Sequence, residues 1–157
     1  MSTAAPHLAP VSGAPFRVAI VAASYNERLI DGLLGRVREG LLAAGVKTSN
    51  LTVVRVPGSN EIPFAAHQIA RRKKPDAVIA LGVIIRGDTR HYELIGDAVT
   101  HALQNVSIAT ERPVINGVVV AENDAQAVAR CIGPVNRGVE FARAALAMAA
   151  LRRQLLK

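Results

Sequence analysis

The sequence predicts an α/β protein, a three-layer sandwich in which a four-stranded parallel sheet lies between two layers of helices. Three observations predict it. Short apolar runs rich in Val and Ile recur four times along the 157 residues. Between them lie longer stretches whose apolar residues repeat at helical spacing. Gly and Pro punctuate the joins, at Gly45, Pro57, Gly58, Gly133 and Pro134. Such alternation implies parallel strands joined by right-handed crossover helices.

The elements follow in order. RVAIVAA (17–23) is a nearly continuous apolar run, suited to a strand buried on both faces. Residues 26–44 read as a helix through Leu29, Ile30, Leu33, Leu34, Val37 and Leu41, with Gly45 as its stop. LTVVRV (51–56) is the second strand, ended by Pro57 and Gly58. Residues 61–72 form a helix with Ile62, Ala65, Ala66 and Ile69 on one face. DAVIALGVII (76–85) is the clearest buried strand. A long helix runs from residue 88 through Leu94, Ile95, Val99, Leu103 and Val106, and PVINGVVV (113–120) is the fourth strand. A short helix at 124–130, a break at Gly133 and Pro134, and a helix at 137–155 complete the chain. Residues 1–16, rich in Pro, Ala, Ser and Gly, read as a flexible N-terminal arm, and 17–157 as a single domain.

Composition narrows the classes. Half the residues are hydrophobic and 20% are charged, enough to bury a core, but aromatics are only 3%. The core must therefore be built from Ala, Val, Ile and Leu. The single cysteine, Cys131, excludes an internal disulfide and a Cys-rich metal site. No apolar run reaches the roughly 20 residues that span a bilayer, and the N-terminus does not read as a secretory signal, so a cytoplasmic location without a membrane partner is expected. The net charge of +7 invites an anionic partner. Its runs, however, Arg71, Arg72, Lys73, Lys74 and Arg152, Arg153, end helices and lack interleaved aromatics. Solvated faces are expected there rather than nucleic-acid binding.

Ligands of parallel α/β sheets sit beyond the C-terminal ends of the strands. The loop after the first strand carries Tyr25, whose ring can either stack on a flat heterocycle or cap the edge of the core. The loop after the second strand carries Gly58, Ser59, Asn60 and Glu61, polar groups at a helix start, with Glu61 equally readable as a helix-dipole residue. The loop after the third strand, Arg86 to His91, is the richest. Gly87 followed by Thr89 at a helix start can present amides and a hydroxyl to phosphate. His91 stands within reach of whatever they hold, and reads either as a proton-transfer residue, since histidine exchanges protons near neutral pH, or as a plain surface residue of the helix's first turn. His7, His67 and His101 have no metal-spaced partners. GxGxxG, GxxxxGK[ST] and GxSxG are all absent.

Set side by side, these loops resemble the lumazine synthase family of riboflavin biosynthesis, on a flavodoxin-like fold. The matching stretches are ASYN, VPGSNEIPFAA, ALGVIIRGDTRHYE and PVINGVVVAENDAQAVAR, in the family's order and spacing. The resemblance implies condensation of 5-amino-6-(D-ribitylamino)uracil with 3,4-dihydroxy-2-butanone 4-phosphate, with neither metal nor organic cofactor. It implies that Tyr25, Ser59, Asn60, Glu61, Val83, Ile84, Ile85 and Asn116 bind the uracil and ribityl parts. Asp88, Thr89 and Arg130 would bind the phosphate substrate, and His91 would transfer protons. Asn116 and Arg130 would come from a neighbouring subunit, so a pentamer is expected, with a sixty-subunit shell as an open alternative. The product implies a functional link to riboflavin synthase. Asn60 and Asn116 replace larger apolar or aromatic residues of many relatives, and residues 131–137 (CIGPVNR) are about one residue short and lack a lysine. Two other readings compete: a ligand-binding protein without turnover, and a nucleic-acid-binding domain suggested by the charge.

Overall fold

The computed structural model describes residues 9–156. Its elements are β1 (Val18–Ala23), α1 (Glu27–Ala43), β2 (Leu51–Val56), α2 (Ile62–Arg72), β3 (Ala77–Ile85), α3 (His91–Thr110), β4 (Val114–Ala121), α4 (Asp124–Cys131) and α5 (Arg137–Leu155). All four strands are parallel, in the order β2-β1-β3-β4. This is the expected α/β sandwich, and the predicted element bounds hold to within about three residues.

The order of the strands decides where a ligand can sit. The chain leaves β1 toward one edge of the sheet to form β2, then crosses back to form β3 on the other side of β1. With right-handed crossovers, that reversal puts α1 on one face and α2 and α3 on the other. The helix contacts agree, since α1 packs with α5 and α4 while α2 packs with α3. Between β1 and β3 the connections diverge, and a crevice opens at the strand ends there.

Two apolar clusters fill the two interfaces. Val18, Ile20, Ala22, Ile79 and Leu81 face α1 and α5, while Ala19, Val21, Val78 and Ala80 face α2 and α3. All six residues of β1 are buried, as a central strand demands. β2 is an edge strand, and Thr52, Val53 and Arg55 on it are exposed. Ala, Val, Ile and Leu make up the buried core apart from Phe16 and Cys131.

Two departures have clear causes. The ordered domain begins before residue 17: Gly13 N–H donates to the Ala44 carbonyl at 2.7 Å, and Phe16 is buried. The Arg153 guanidinium lies 4.3 Å from the centre of the Phe16 ring and donates to the Pro15 carbonyl. The end of the expected arm is therefore anchored, while residues 1–8, His7 among them, lie outside the described residues. The third long helix starts at His91 rather than at residue 88, because residues 86–90 extend the loop beyond β3. No helix of the described residues is long and apolar enough to cross a membrane.

Candidate functional site

The loops leaving β1, β2 and β3 converge on a cleft of about 490 Å³. Hydrogen bonds across the loops hold it together. Ser24 N–H donates to the Val56 carbonyl at 2.8 Å, and Tyr25 N–H to the Pro57 carbonyl at 3.2 Å, tying the end of β1 to the end of β2. Asn26 adopts the left-handed conformation (φ 58°) at the start of α1. Its side chain does not cap that helix; Nδ2 donates instead to the Val83 carbonyl at 3.0 Å, tying β1 to β3. The Tyr25 ring is 74% exposed beside the cleft, which sets aside its reading as a cap on the core.

The floor comes from β3 and the turn after β2. Ser59 is buried over Gly82, where an added Cβ would stand 2.6 Å from the serine Oγ. Gly82 thus makes room for that hydroxyl. Glu61 precedes α2 and makes no side-chain cap bond. Its Oε2 would lie 3.0 Å from a Cβ at Gly58, close to the Tyr25 ring, so the carboxylate faces the cleft rather than the helix dipole. Asn60 also lines the cleft and is exposed.

β3 runs four residues past its last pairing with β1, which is Ala22 with Leu81. Main-chain groups along a strand point to alternate sides. Because Arg86 N–H donates to the Ala121 carbonyl of β4, Ile84 also turns its main chain to β4. Val83 and Ile85 are left with main-chain groups directed toward the cleft. Ile84 can enter it only through its side chain, alongside Ile95 of α3.

Thr89 and His91 close the far side. The Thr89 Oγ1 accepts the His91 main-chain N–H at a long 3.4 Å. Asp88 is exposed in the same loop and does not line the cleft. Charged neighbours of His91 are committed to one another. Arg90 Nε and Tyr92 OH each donate to Glu93 at 3.1 Å, and together they hold its carboxyl below the usual range. Tyr92 is pushed above its ordinary value by burial and by that bond, and Arg86 is raised by its pairing with Glu122 at 3.0 Å. Among the described residues no hydrogen bond engages the His91 imidazole, so the ring can exchange a proton with a ligand in the cleft.

Asn116 and Arg130 lie elsewhere. With Val118, Val119, Arg137 and Phe141 they line a small cavity of about 80 Å³ along the free edge of β4. No residue lines both cavities. Asn116 Nδ2 donates to Thr100 Oγ1 at 3.2 Å, and Arg130 Nη1 to the Gln126 carbonyl of its own helix at 3.0 Å. α4 is set by a reciprocal cap, in which Asn123 Oδ1 accepts Gln126 N–H at 2.9 Å while Glu122 N–H donates to Gln126 Oε1 at 3.1 Å. Arg36 of α1 fixes the following loop through the Ile132 and Gly133 carbonyls.

Sequence reasoning did not single out Asn26, Tyr92 or Ile95 in the cleft, nor Arg137 or Phe141 on the β4 edge. Arg137 had a usable signal, being a second cation seven residues after Arg130. Cys131 is buried and its thiol is pushed up to about 11, so it offers no thiolate near neutral pH. Among the described residues no group of three His, Cys, Asp or Glu is placed to hold a metal ion. A larger hollow of about 950 Å³ between residues 9–12, α1 and α5 is lined mainly by Ala, Val and Leu and gathers no such polar set.

Residues 15–153 match the family model described as 6,7-dimethyl-8-ribityllumazine synthase. A protein of that name from Paracidovorax citrulli is 40% identical over 145 residues, 92% of each chain. Another, from Xanthomonas euvesicatoria pv. vesicatoria, is 44% identical over 131 residues, 83% of this chain and 85% of its own. A third, from Nitrosospira multiformis, is 38% identical over 145 residues, 92% of this chain and 89% of its own.

Proposed function

The chain belongs to the 6,7-dimethyl-8-ribityllumazine synthase family, and on that premise we propose that it is the transferase of riboflavin biosynthesis that makes this lumazine, acting in the cytoplasm. The substrates are 5-amino-6-(D-ribitylamino)uracil and 3,4-dihydroxy-2-butanone 4-phosphate. The uracil's amine adds to the ketone and loses water to give an imine. Elimination of phosphate follows, and ring closure with loss of a second water completes the product. Protons must move at each stage while no nucleophilic side chain is needed, which suits a site of orienting groups around one histidine.

The roles follow from the family resemblance, and the lining of the cleft supports those of Tyr25, Ser59, Asn60, Glu61, Thr89 and His91. Tyr25 stacks on the pyrimidine from the solvent side. Ser59, Asn60 and Glu61 hold the ribityl chain and ring edge, while Val83 and Ile85 offer main-chain hydrogen bonds and Ile84 an apolar wall. Gly87 and Thr89 receive the phosphate, Asp88 serving through its main-chain N–H with its carboxylate turned out of the cleft, and His91 moves the protons. Asn116 contacts the ring and Arg130 the phosphate from the next copy in a ring. Such head-to-tail contacts close when the rotation allows, and we propose a pentamer, with assembly into sixty subunits as its extension. The product would pass to riboflavin synthase.

One observation carries this reading. The cleft gathers an exposed tyrosine, the Glu61 carboxylate, main-chain groups of β3 and the His91 imidazole, which supports ring binding and proton transfer there, while Asn116 and Arg130 lie in a cavity that shares no residue with it. Mixing the protein with both substrates tests it by absorbance of the product. Formation well above a protein-free control is expected; a rate equal to that control contradicts it.

A further inference from the structure

A second polar cavity, of about 380 Å³, opens where the C-terminal ends of α2, α3 and α5 meet, away from the cleft. Arg71, Lys74, Arg112 and Arg152 line it, together with His67, and Glu111 is the one carboxylate on its wall. Cations do gather at helix C-termini, where carbonyls carry the negative end of the dipole. Part of this charge serves that purpose. Arg152 Nε donates to the Glu111 carbonyl at 2.6 Å, Arg112 to the Pro75 carbonyl at 3.3 Å, and nearby Arg17 to the Lys74 carbonyl at 3.1 Å.

That duty does not neutralise the cluster. Among the described residues, none of the four lining cations has a carboxylate within ion-pair distance. Asp76, the neighbouring acid, is already held by Arg153 at 3.1 Å and by the Arg17 main-chain N–H at 2.8 Å. With Glu111 and about half a charge from each helix end set against four cations, an excess of one to two positive charges is left over. Arg112 is held below its ordinary value, first by burial and then by Arg152 and Arg17. Repulsion of this kind is relieved when an anion binds.

We propose that this cavity is an anion site separate from the cleft, and that its ligand is a small polyphosphate. Guanidinium and ammonium donors from α2, α5 and the loops that follow α2 and α3 surround a space larger than one phosphate, which fits two or more linked phosphoryl groups. No aromatic side chain lines it, so a base would find no stacking platform, and recognition falls to the phosphoryl groups. The inference does not depend on how the cleft is read.

Titration calorimetry with inorganic tripolyphosphate on the full chain tests it, beside the Arg71→Gln/Lys74→Gln double variant and Arg130→Ala. Neither the Arg71 nor the Lys74 side chain makes a hydrogen bond among the described residues, so the double variant is expected to keep its melting temperature and its activity. Arg152→Gln serves as a second probe should it not. Wild type and Arg130→Ala should bind alike, one ion per chain, and the cavity variants at least tenfold more weakly. ATP should bind no more than about threefold tighter than tripolyphosphate. Equal binding by the cavity variants, no binding by wild type at low salt, loss on Arg130→Ala, or a strong preference for ATP would each overturn the proposal.

Discussion

Around the cleft, three loops are stitched to one another across long sequence separations, by Asn26 to Val83 and by Ser24 and Tyr25 to the turn after β2. Along the β4 edge, Asn116 and Arg130 sit on regular elements and bond to groups close by, Thr100 and Gln126. The first region is a shaped pocket with a floor, a wall and a titratable side chain. The second is a small cavity of about 80 Å³ beside an unpaired strand edge, where Asn116, Arg130 and Arg137 sit among Val118, Val119 and Phe141. The difference sets out what the proposed function requires: the cleft would supply the concave part of a site and the β4 edge of another copy the rest.

The comparison can be broken at its strongest point first. His91→Ala should lower kcat by about 10–100-fold, at or below the usual acid–base contribution, with little change in either KM. Steady-state kinetics checks this, and an unchanged kcat would remove the cleft's histidine from the chemistry. Arg130→Ala should act differently, raising KM for the phosphate substrate about tenfold, as loss of a charge-assisted hydrogen bond does. An effect confined to the uracil substrate would contradict the division of labour between the two regions.

A smaller effect sharpens the account of the cleft's floor. Gly82→Ala sets a Cβ 2.6 Å from Ser59 Oγ, with Ile62 and Val118 at 3.2 Å. A cost of about 1–2 kcal/mol in denaturant unfolding is expected, together with a raised KM for the uracil substrate. An effect of comparable size is one of pH, beside the β4 edge. Burial lifts the Cys131 thiol from 9.0 to about 11, so the unfolded chain loses this proton first. Its contribution to stability is therefore complete below pH 9 and is lost as pH rises from 9 to 11. Unfolding measured across that range should show a downward slope, and Cys131→Ala should flatten it.

Much of this was legible beforehand, for reasons that differ by region. β1 and β3 announce themselves because strands buried on both faces must be apolar throughout, and the helices because one face of each is buried. Strand ends then name the loops to inspect, so Tyr25, Ser59, Thr89 and His91 could be picked before any coordinates. Asn26 could not, because its role depends on a left-handed backbone and a carbonyl 57 positions away. The register of β3 against β4 turns the main chain of Ile84 away from the cleft, and register is a tertiary property. Phe16 was lost to an arm because Arg153, its partner, lies near the other end of the chain. That Asn116 and Arg130 line a cavity apart from the cleft was not legible from local pattern, since it depends on which edge of the sheet β4 takes.

The central claim is that each working site joins the cleft of one copy to the β4 edge of the next. Co-expressing His91→Ala with Arg130→Ala chains tests it most directly. If sites are shared head to tail, random mixing gives about a quarter of them an intact cleft and an intact edge together. Activity at low phosphate-substrate concentration should then rise to about a quarter of wild type, well above either variant alone. An activity no higher than the average of the two variants would contradict the shared site.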